Sequence, residues 1–157
     1  SPGNHEIRQK RYEELMELAR ETGAEVLVNR YVPFHDLWIG GWYDPKKVEE
    51  PDMMVAFEAQ EGVKLLLCHK PEFYRKYLRG CKVDLTIAGH AHGGQISIPF
   101  LRQGIFAPHQ GFFPKYTEGM HEKDGTVMVV SRGLGNSSFP FRIFNRPELI
   151  EVTLTVK

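Results

Sequence analysis

Two short apolar runs that each end in a histidine limit most strongly how this chain of 157 residues can fold. Val63–Cys68 is apolar at all but one position and is followed directly by His69. Residues 83–88 repeat the pattern and are followed, after one glycine, by His90. Runs of this length between loops predict buried strands, and residues 72–79 between them predict a helix. A strand, a helix and a second strand in this order indicate an α/β fold.

Other parts of the chain predict further short elements. Residues 7–22 have apolar positions at helical spacing and end before Gly23, and Asn4 is placed to cap that helix. Residues 95–124 are rich in glycine, proline and aromatic residues, which predicts a long irregular insertion. The remaining expectations are strands at 25–29, 37–43, 95–98, 127–131 and 149–156, and a helix within 46–59 that Pro51 divides.

Composition excludes some classes of protein and leaves the rest open. Lysine plus arginine equals aspartate plus glutamate at 20 each, so no overall positive charge favours nucleic acid as a partner. The length suits one domain with its own hydrophobic core. No apolar run approaches the roughly 20 residues that cross a bilayer, and no targeting signal is visible. We therefore expect a cytoplasmic protein or one peripheral to the cell membrane.

Side chains that can ligate a metal occur where predicted strands end or where the first helix begins. These are Asn4, His69, His90 and His92, and glycines on both sides of the last pair let the backbone turn both imidazoles inward. A single histidine at a strand end is most often structural, and Asn4 alone would be only a helix cap. The joint occurrence favours a metal site, because imidazole binds zinc, iron, nickel and manganese ions.

Three blocks of residues carry a resemblance to a known family. Residues 3–6, 68–71 and 89–92 read Gly-Asn-His-Glu, Cys-His-Lys-Pro and Gly-His-Ala-His, and they resemble the last three signature blocks of the calcineurin-like metallophosphoesterases. Residues 131–135, Ser-Arg-Gly-Leu-Gly, and 144–148, Phe-Asn-Arg-Pro-Glu, resemble the bacterial YkuE and YaeI branch, phosphodiesterases related to the UDP-diacylglucosamine hydrolases.

The resemblance implies a hydrolase fold and a set of site residues. It implies a four-layer α-β-β-α sandwich with mixed sheets, of which this chain supplies one sheet and part of the other. Asn4, His69 and His90 would ligate one divalent metal, His92 would ligate a second, and His5 would be the unligated acid that serves the leaving oxygen. A hydroxide activated by both ions, of the manganese, iron, zinc or nickel type, would attack a small or lipid-linked phosphodiester.

The family signature also contains two blocks that this sequence lacks. An Asp-x-His block and a Gly-Asp block with a bridging aspartate should precede Ser1, and neither His35-Asp36 nor Asp84 replaces them. We therefore expect residues 1–157 to be the C-terminal portion of a single domain, inactive alone, with no metal ion or one. The alternative is a non-catalytic binding module with at most one weak metal site. A truncated sheet would also favour self-association through an exposed edge.

Three further groups of residues leave alternatives open. Cys68 beside His69 is not expected to form a nucleophile and base, because adjacent strand residues point to opposite faces. Arg132 and Arg142 are equally suited to bind phosphate or to form ion pairs. Apolar residues of the insertion could form a lip for a lipid-bearing substrate, but packing of the loop onto the sheet is the favoured interpretation. They are Phe100, Leu101, Ile105, Phe106, Phe112 and Phe113.

Overall fold

The computed structural model of the chain describes residues 1–43, 52–101, 103–136 and 139–155. The helical elements in these ranges are α1 Asn4–Ile7, α2 Tyr12–Glu21, α3 Asp52–Glu58, a π-helical turn Tyr74–Leu78 and a 3-10 turn His92–Gly94. The strands there are β1 Arg30–Phe34, β2 Leu37–Trp42, β3 Val63–Cys68, β4 Leu85–Ala88, β5 Ser97–Ile98, β6 Gln103–Gly104, β7 Phe106–Ala107, β8 Gly111–Phe112, β9 Gly119–Lys123 and β10 Thr126–Val130.

A mixed sheet organises the fold. Six described strands form it in the order β1-β2-β3-β4-β10-β9. Strands β2, β3, β4 and β10 run parallel, while β1 and β9 pair antiparallel at the two edges. The predicted α/β class is therefore confirmed, and the four-layer sandwich stays a prediction from the resemblance.

The core lies on one face of this sheet. Leu66 and Cys68 of β3 alternate inward, as the period of a strand requires, and Met128 and Val130 of β10 do the same. Helix α3 covers them with Phe57, and the π-helical turn adds Tyr74 and Leu78. The Tyr74 hydroxyl donates to the buried carbonyl oxygen of Thr126 at 2.6 Å, which fixes the turn against β10. The carboxyl ends of β3 and β4 are thus held by a rigid scaffold.

Several element boundaries differ from the sequence predictions. Strands 37–43, 63–68 and 127–131 are confirmed within a residue or two. The helix predicted at 7–22 is confirmed over residues 12–21 as α2, but it begins later than predicted, because the polar residues 8–11 form a turn after α1. The first part of helix 46–59 lies outside the described residues, since 44–51 are not described, and α3 confirms its second part.

Two predicted strands are wrong because a strand needs a neighbour with which to pair. Residues 25–29 form no strand, and β1 lies at Arg30–Phe34 instead, where its pairing with β2 runs from Phe34 opposite Leu37 to Arg30 opposite Gly41. Residues 149–155 pair with no strand of the described chain.

The insertion is also less irregular than expected, because β9 joins the main sheet and β5 to β8 form two small ribbons.

The apolar residues of the insertion do not pack as expected. Phe100, Leu101, Phe106, Phe112 and Phe113 are exposed, so the favoured interpretation of a satellite core is wrong for these five. The insertion is anchored by small and polar contacts instead, with Ala107, Pro114, Tyr116 and Thr117 buried. Within the described ranges, no helix has the length and apolar content that crossing a membrane requires.

Candidate metal centre

The two strand-end histidines meet at one edge of the sheet. Strands β3 and β4 are adjacent and parallel, with Leu67 opposite Ile87, so their carboxyl ends coincide. His69 follows β3 directly, and His90 follows β4 after one glycine. The N–H of Gly89 donates to the carbonyl oxygen of His69 at 3.2 Å and ties the two loops together. The sheet therefore positions both imidazoles before any ligand is bound.

Asn4 joins the two histidines from the other end of the sequence. Its Oδ1 lies 2.8 Å from His69 Nε2 and 2.9 Å from His90 Nδ1, and the two nitrogens lie 3.1 Å apart. The prediction that Asn4 caps the first helix is wrong. The N-cap is Gly3, and the Asn4 side chain is buried against the histidines instead. A contact across 65 and 86 residues of sequence has overridden a local preference.

The glycine before Asn4 is required by close approach of the His69 ring. A Cβ atom at Gly3 would lie 2.7 Å from His69 Cε1 and 2.9 Å from His69 Nδ1, well inside van der Waals contact. The Glu6 carboxylate accepts a hydrogen bond from the Gly3 N–H at 2.7 Å, which closes the turn that carries Asn4. The motif Gly-Asn-His-Glu thus has a local structural reason at three of its positions.

These three donor atoms fit a divalent transition metal. Adjacent ligands of an ion with bonds of about 2.1 Å lie about 3 Å apart when the bonds meet at a right angle. The observed separations of 2.8, 2.9 and 3.1 Å match that spacing. Burial lowers the pKa of His69 to about 4 and, with the neighbouring His69 charge adding to it, the pKa of His90 to about 3. Both rings are therefore neutral near pH 7, as metal ligation requires.

His5 and His92 lie beside this three-atom cluster without joining it. The charge of the exposed His5 ring acts on both His69 and His92, so it lies near both of them. The His92 ring is half-buried, hydrogen-bonded to the backbone of Gly135, and its pKa is lowered chiefly by burial. That His92 ligates a second ion therefore stays a prediction.

Asn145 supports the turn that carries His92, and the sequence had marked it only as part of a motif. Its side chain is buried, and Nδ2 donates to the carbonyl oxygen of His92 at 2.6 Å and to that of Gln95 at 3.2 Å. Gly93 adopts φ 64°, and a Cβ there would lie 2.3 Å from Asn145 Oδ1. The absence of a side chain at Gly93, the glycine that follows His92, therefore makes room for Asn145.

The two candidate phosphate-binding arginines have different surroundings. Arg132 forms ion pairs with Glu148 at 3.1 Å and with Glu118 at 3.4 Å, which is the alternative that the sequence had left open. Arg142 Nη2 donates to the carbonyl oxygens of Arg132, Gly133 and Gly135 and so braces the loop after β10. Its Nη1 is buried and has no hydrogen-bond partner in the described part of the chain.

A second group of possible ligands was missed by the sequence analysis. Glu72, His90 and His109 offer ligand atoms that all lie within 4.8 Å of one another. His109 and Lys70 also line an open cleft of about 1070 Å³, together with Arg75, Lys76 and Lys115. No pattern marks His109, because it is a lone histidine within an aromatic loop and meets His90 only through the fold.

The cysteines are packing residues, and we expect both to react slowly with thiol reagents. Cys68 is buried, and burial raises its pKa to about 12, while burial and the nearby Glu58 raise the pKa of Cys81 to about 11. Because the thiolate is the reactive form, labelling by iodoacetamide at pH 7.5 should be at least about tenfold slower in the native chain than in urea. A native thiol that reacts as fast as a free peptide would contradict this assignment.

Comparison with known proteins finds relatives named metallophosphoesterases. The chain is 39% identical over 90 residues to the uncharacterised metallophosphoesterase YkuE of Bacillus subtilis, which covers 57% of this chain and 30% of that protein. It is 28% identical over 163 residues to an uncharacterised metallophosphoesterase of Helicobacter pylori strain J99. That match covers 99% of this chain and 42% of the relative. It is 31% identical over 91 residues to the phosphodiesterase YaeI of Escherichia coli. That match covers 58% of this chain and 32% of YaeI.

These matches confirm the resemblance to the metallophosphoesterases that the three sequence blocks predict. The chain spans between 30% and 42% of the length of these three relatives. No family model matches the chain, and no solved structure matches it.

Proposed function

From this resemblance we propose that the chain forms part of a metal-dependent phosphodiesterase, with residues 1–157 as the C-terminal portion of a single domain. The observation that carries the proposal is the convergence of Asn4 Oδ1, His69 Nε2 and His90 Nδ1 within 3.1 Å of one another. Three neutral donors that meet at the end of a rigid sheet suit a manganese, iron, zinc or nickel ion. The bridging carboxylate would come from the two signature blocks that precede these residues in the family.

The residues around the cluster have complementary roles in this proposal. Two bound ions would supply Lewis acidity at the phosphate and a nucleophile at neutral pH. His5 is exposed beside His69 and is free to face a substrate, so it would protonate the departing alkoxide. His92 would hold the second ion. Nη1 of Arg142, near His92, has no hydrogen-bond partner among the described residues and would donate to a phosphate oxygen, while Arg132 would position the loop through its ion pairs.

A small or lipid-linked phosphodiester is the substrate class we propose. The hairpin of β7 and β8 brings His109 to His90 and also exposes Phe112 and Phe113. Apolar side chains on the element that borders the metal centre would favour an acyl or other apolar group on the ester. We propose no nucleic acid partner, because the net charge is zero.

A chelation experiment tests the proposed function. A longer chain that adds the two upstream blocks should hydrolyse bis(4-nitrophenyl) phosphate, lose that activity after dialysis against EDTA, and regain it with manganese, nickel or zinc. Release of nitrophenolate, followed by absorbance, measures the rate. Full activity in EDTA, or no cleavage of either a phosphodiester or a phosphomonoester with any of these ions, would contradict the proposal.

A further inference from the structure

The second ring nitrogen of His90 has its own partner. While His90 Nδ1 faces Asn4 and His69, its Nε2 lies 3.0 Å from Nδ1 of His109. The ring centroids are 5.2 Å apart and the ring planes are inclined by 22°. Each ring nitrogen lies about 1.1 Å from its centroid, so this centroid separation means that the rings meet edge to edge with the two nitrogens between them. The geometry is that of a nearly linear N–H···N hydrogen bond.

The same geometry argues against a metal ion held between these two nitrogens. Lone pairs that point at each other across 3.0 Å leave room for a proton, but an ion with bonds of about 2.1 Å needs lone pairs that converge from the side. The Glu72 carboxylate lies 3.8 Å from His109 Nδ1, which is beyond hydrogen-bond distance. His109 is therefore a hydrogen-bond partner of His90.

Ligation by His90 determines the direction of this bond. If Nδ1 of a neutral imidazole binds a metal, the ring proton must be on Nε2, which then donates to an acceptor. We propose that His109 is a positioning residue whose Nδ1 accepts this hydrogen bond and holds the His90 ring with Nδ1 directed at Asn4 and His69. This inference rests on the proposed function, because it takes the cluster of Asn4, His69 and His90 to be a metal site.

The hairpin that carries His109 is held by its own contacts, and the His109 side chain itself is 51% exposed. Strands β7 and β8 pair through Phe106 with Phe112 and Ala107 with Gly111, and Ala107 is fully buried. The side chain of Gln110 donates to the carbonyl oxygen of Tyr116 at 2.8 Å and accepts from the Tyr116 N–H at 3.0 Å. His109 itself adopts φ 61°, a left-handed backbone that histidine and asparagine tolerate better than most residues.

Metal affinity tests the proposal, with zinc as the probe. Competition against a chromophoric chelator measures the dissociation constant of the 157-residue chain and of its variants. We expect His109→Ala to weaken zinc binding by about ten- to a hundredfold, as the loss of a partner behind a metal ligand generally does. His109→Asn should stay within about threefold of the original chain, because its Oδ1 accepts a hydrogen bond and its backbone tolerates the left-handed region.

A matched control and a spectroscopic readout separate positioning from general damage. His121→Ala removes a partly buried histidine of the edge strand β9, whose ring nitrogen is bonded to the carbonyl oxygen of Glu118, and should leave zinc affinity unchanged. Long-range ¹H–¹⁵N spectra of the zinc-loaded chain should show His90 protonated on Nε2, with that proton protected from exchange in the original chain and His109→Asn and exposed in His109→Ala.

The outcomes distinguish this inference from the proposed function. If the original chain binds no zinc, the positioning role is overturned, while the proposed function is decided by the activity of the longer chain. If it binds zinc and His109→Ala binds as tightly with the same protected proton, only the positioning role is overturned. If His109→Ala instead lowers the number of bound ions and His109→Asn does not restore it, His109 is a ligand, and the positioning role is again wrong.

Discussion

Replacing either strand-end histidine with alanine should remove transition-metal binding from this chain. His69 and His90 each supply one of three neutral donor atoms that lie within 3.1 Å of one another. Loss of an outer partner already costs about ten- to a hundredfold in metal affinity, so loss of a direct ligand should weaken binding by more than about a hundredfold. Elemental analysis after gel filtration, and titration with zinc or nickel, measure the effect.

The chain provides histidines that serve as controls for this experiment. His35 lies on the turn between β1 and β2, and β2 runs parallel to β3, so His35 is at the end of the sheet opposite His69. His35→Ala and His121→Ala should both keep the metal content of the original chain. Unchanged metal content after His69→Ala or His90→Ala would end the assignment, and attention would move to Glu72 and His109.

The elements that carry the centre could be predicted because their signals are local. Val63–Cys68 is buried on one face and half-buried on most of the other, so it reads as an apolar run ending at His69. Residues 83–88 gave β4 for the same reason, although the strand itself is shorter. Because both strands lie inside a parallel sheet, their carboxyl ends had to meet at one edge. The convergence of His69 and His90 follows from that topology.

What could not be predicted depends on contacts that are distant in sequence. Asparagine is a residue type that commonly caps helices, but the Asn4 side chain instead contacts two histidines that are 65 and 86 residues away. His109 carries no pattern at all, since its position against His90 is produced by the pairing of β7 with β8 and by the contacts of Gln110 with Tyr116. The exposed Phe112 shows the same limit, because burial depends on tertiary packing.

The largest effect on catalysis should come from the carboxylates of the two upstream blocks. In the proposed site a bridging aspartate positions two ions, and residues 1–157 provide neutral donors at the cluster of Asn4, His69 and His90. With manganese added, the 157-residue chain should hydrolyse bis(4-nitrophenyl) phosphate at rates near background, while the longer chain turns over. Equal turnover by both chains, sensitive to His69→Ala, would show that carboxylates within this sequence complete the site. Glu72, which lies near His90, would then be examined first, because Asp36 adjoins His35 and Asp84 bonds the N–H of Lys64 at the end of the sheet opposite His69.

Within the longer chain, His5→Ala should separate proton transfer from metal binding. His5 is exposed and lies outside the three-atom cluster, so its removal should leave metal content and the melting temperature unchanged. A general acid contributes about a hundred- to ten-thousandfold to rate, so kcat for an alkyl diester should fall by that factor. An activated aryl diester should be less affected, because a good leaving group needs less protonation. His35→Ala, at the opposite end of the sheet, should keep full activity. An equal loss with both leaving groups would assign His5 to phosphate binding instead, and no loss with either would remove it from the mechanism.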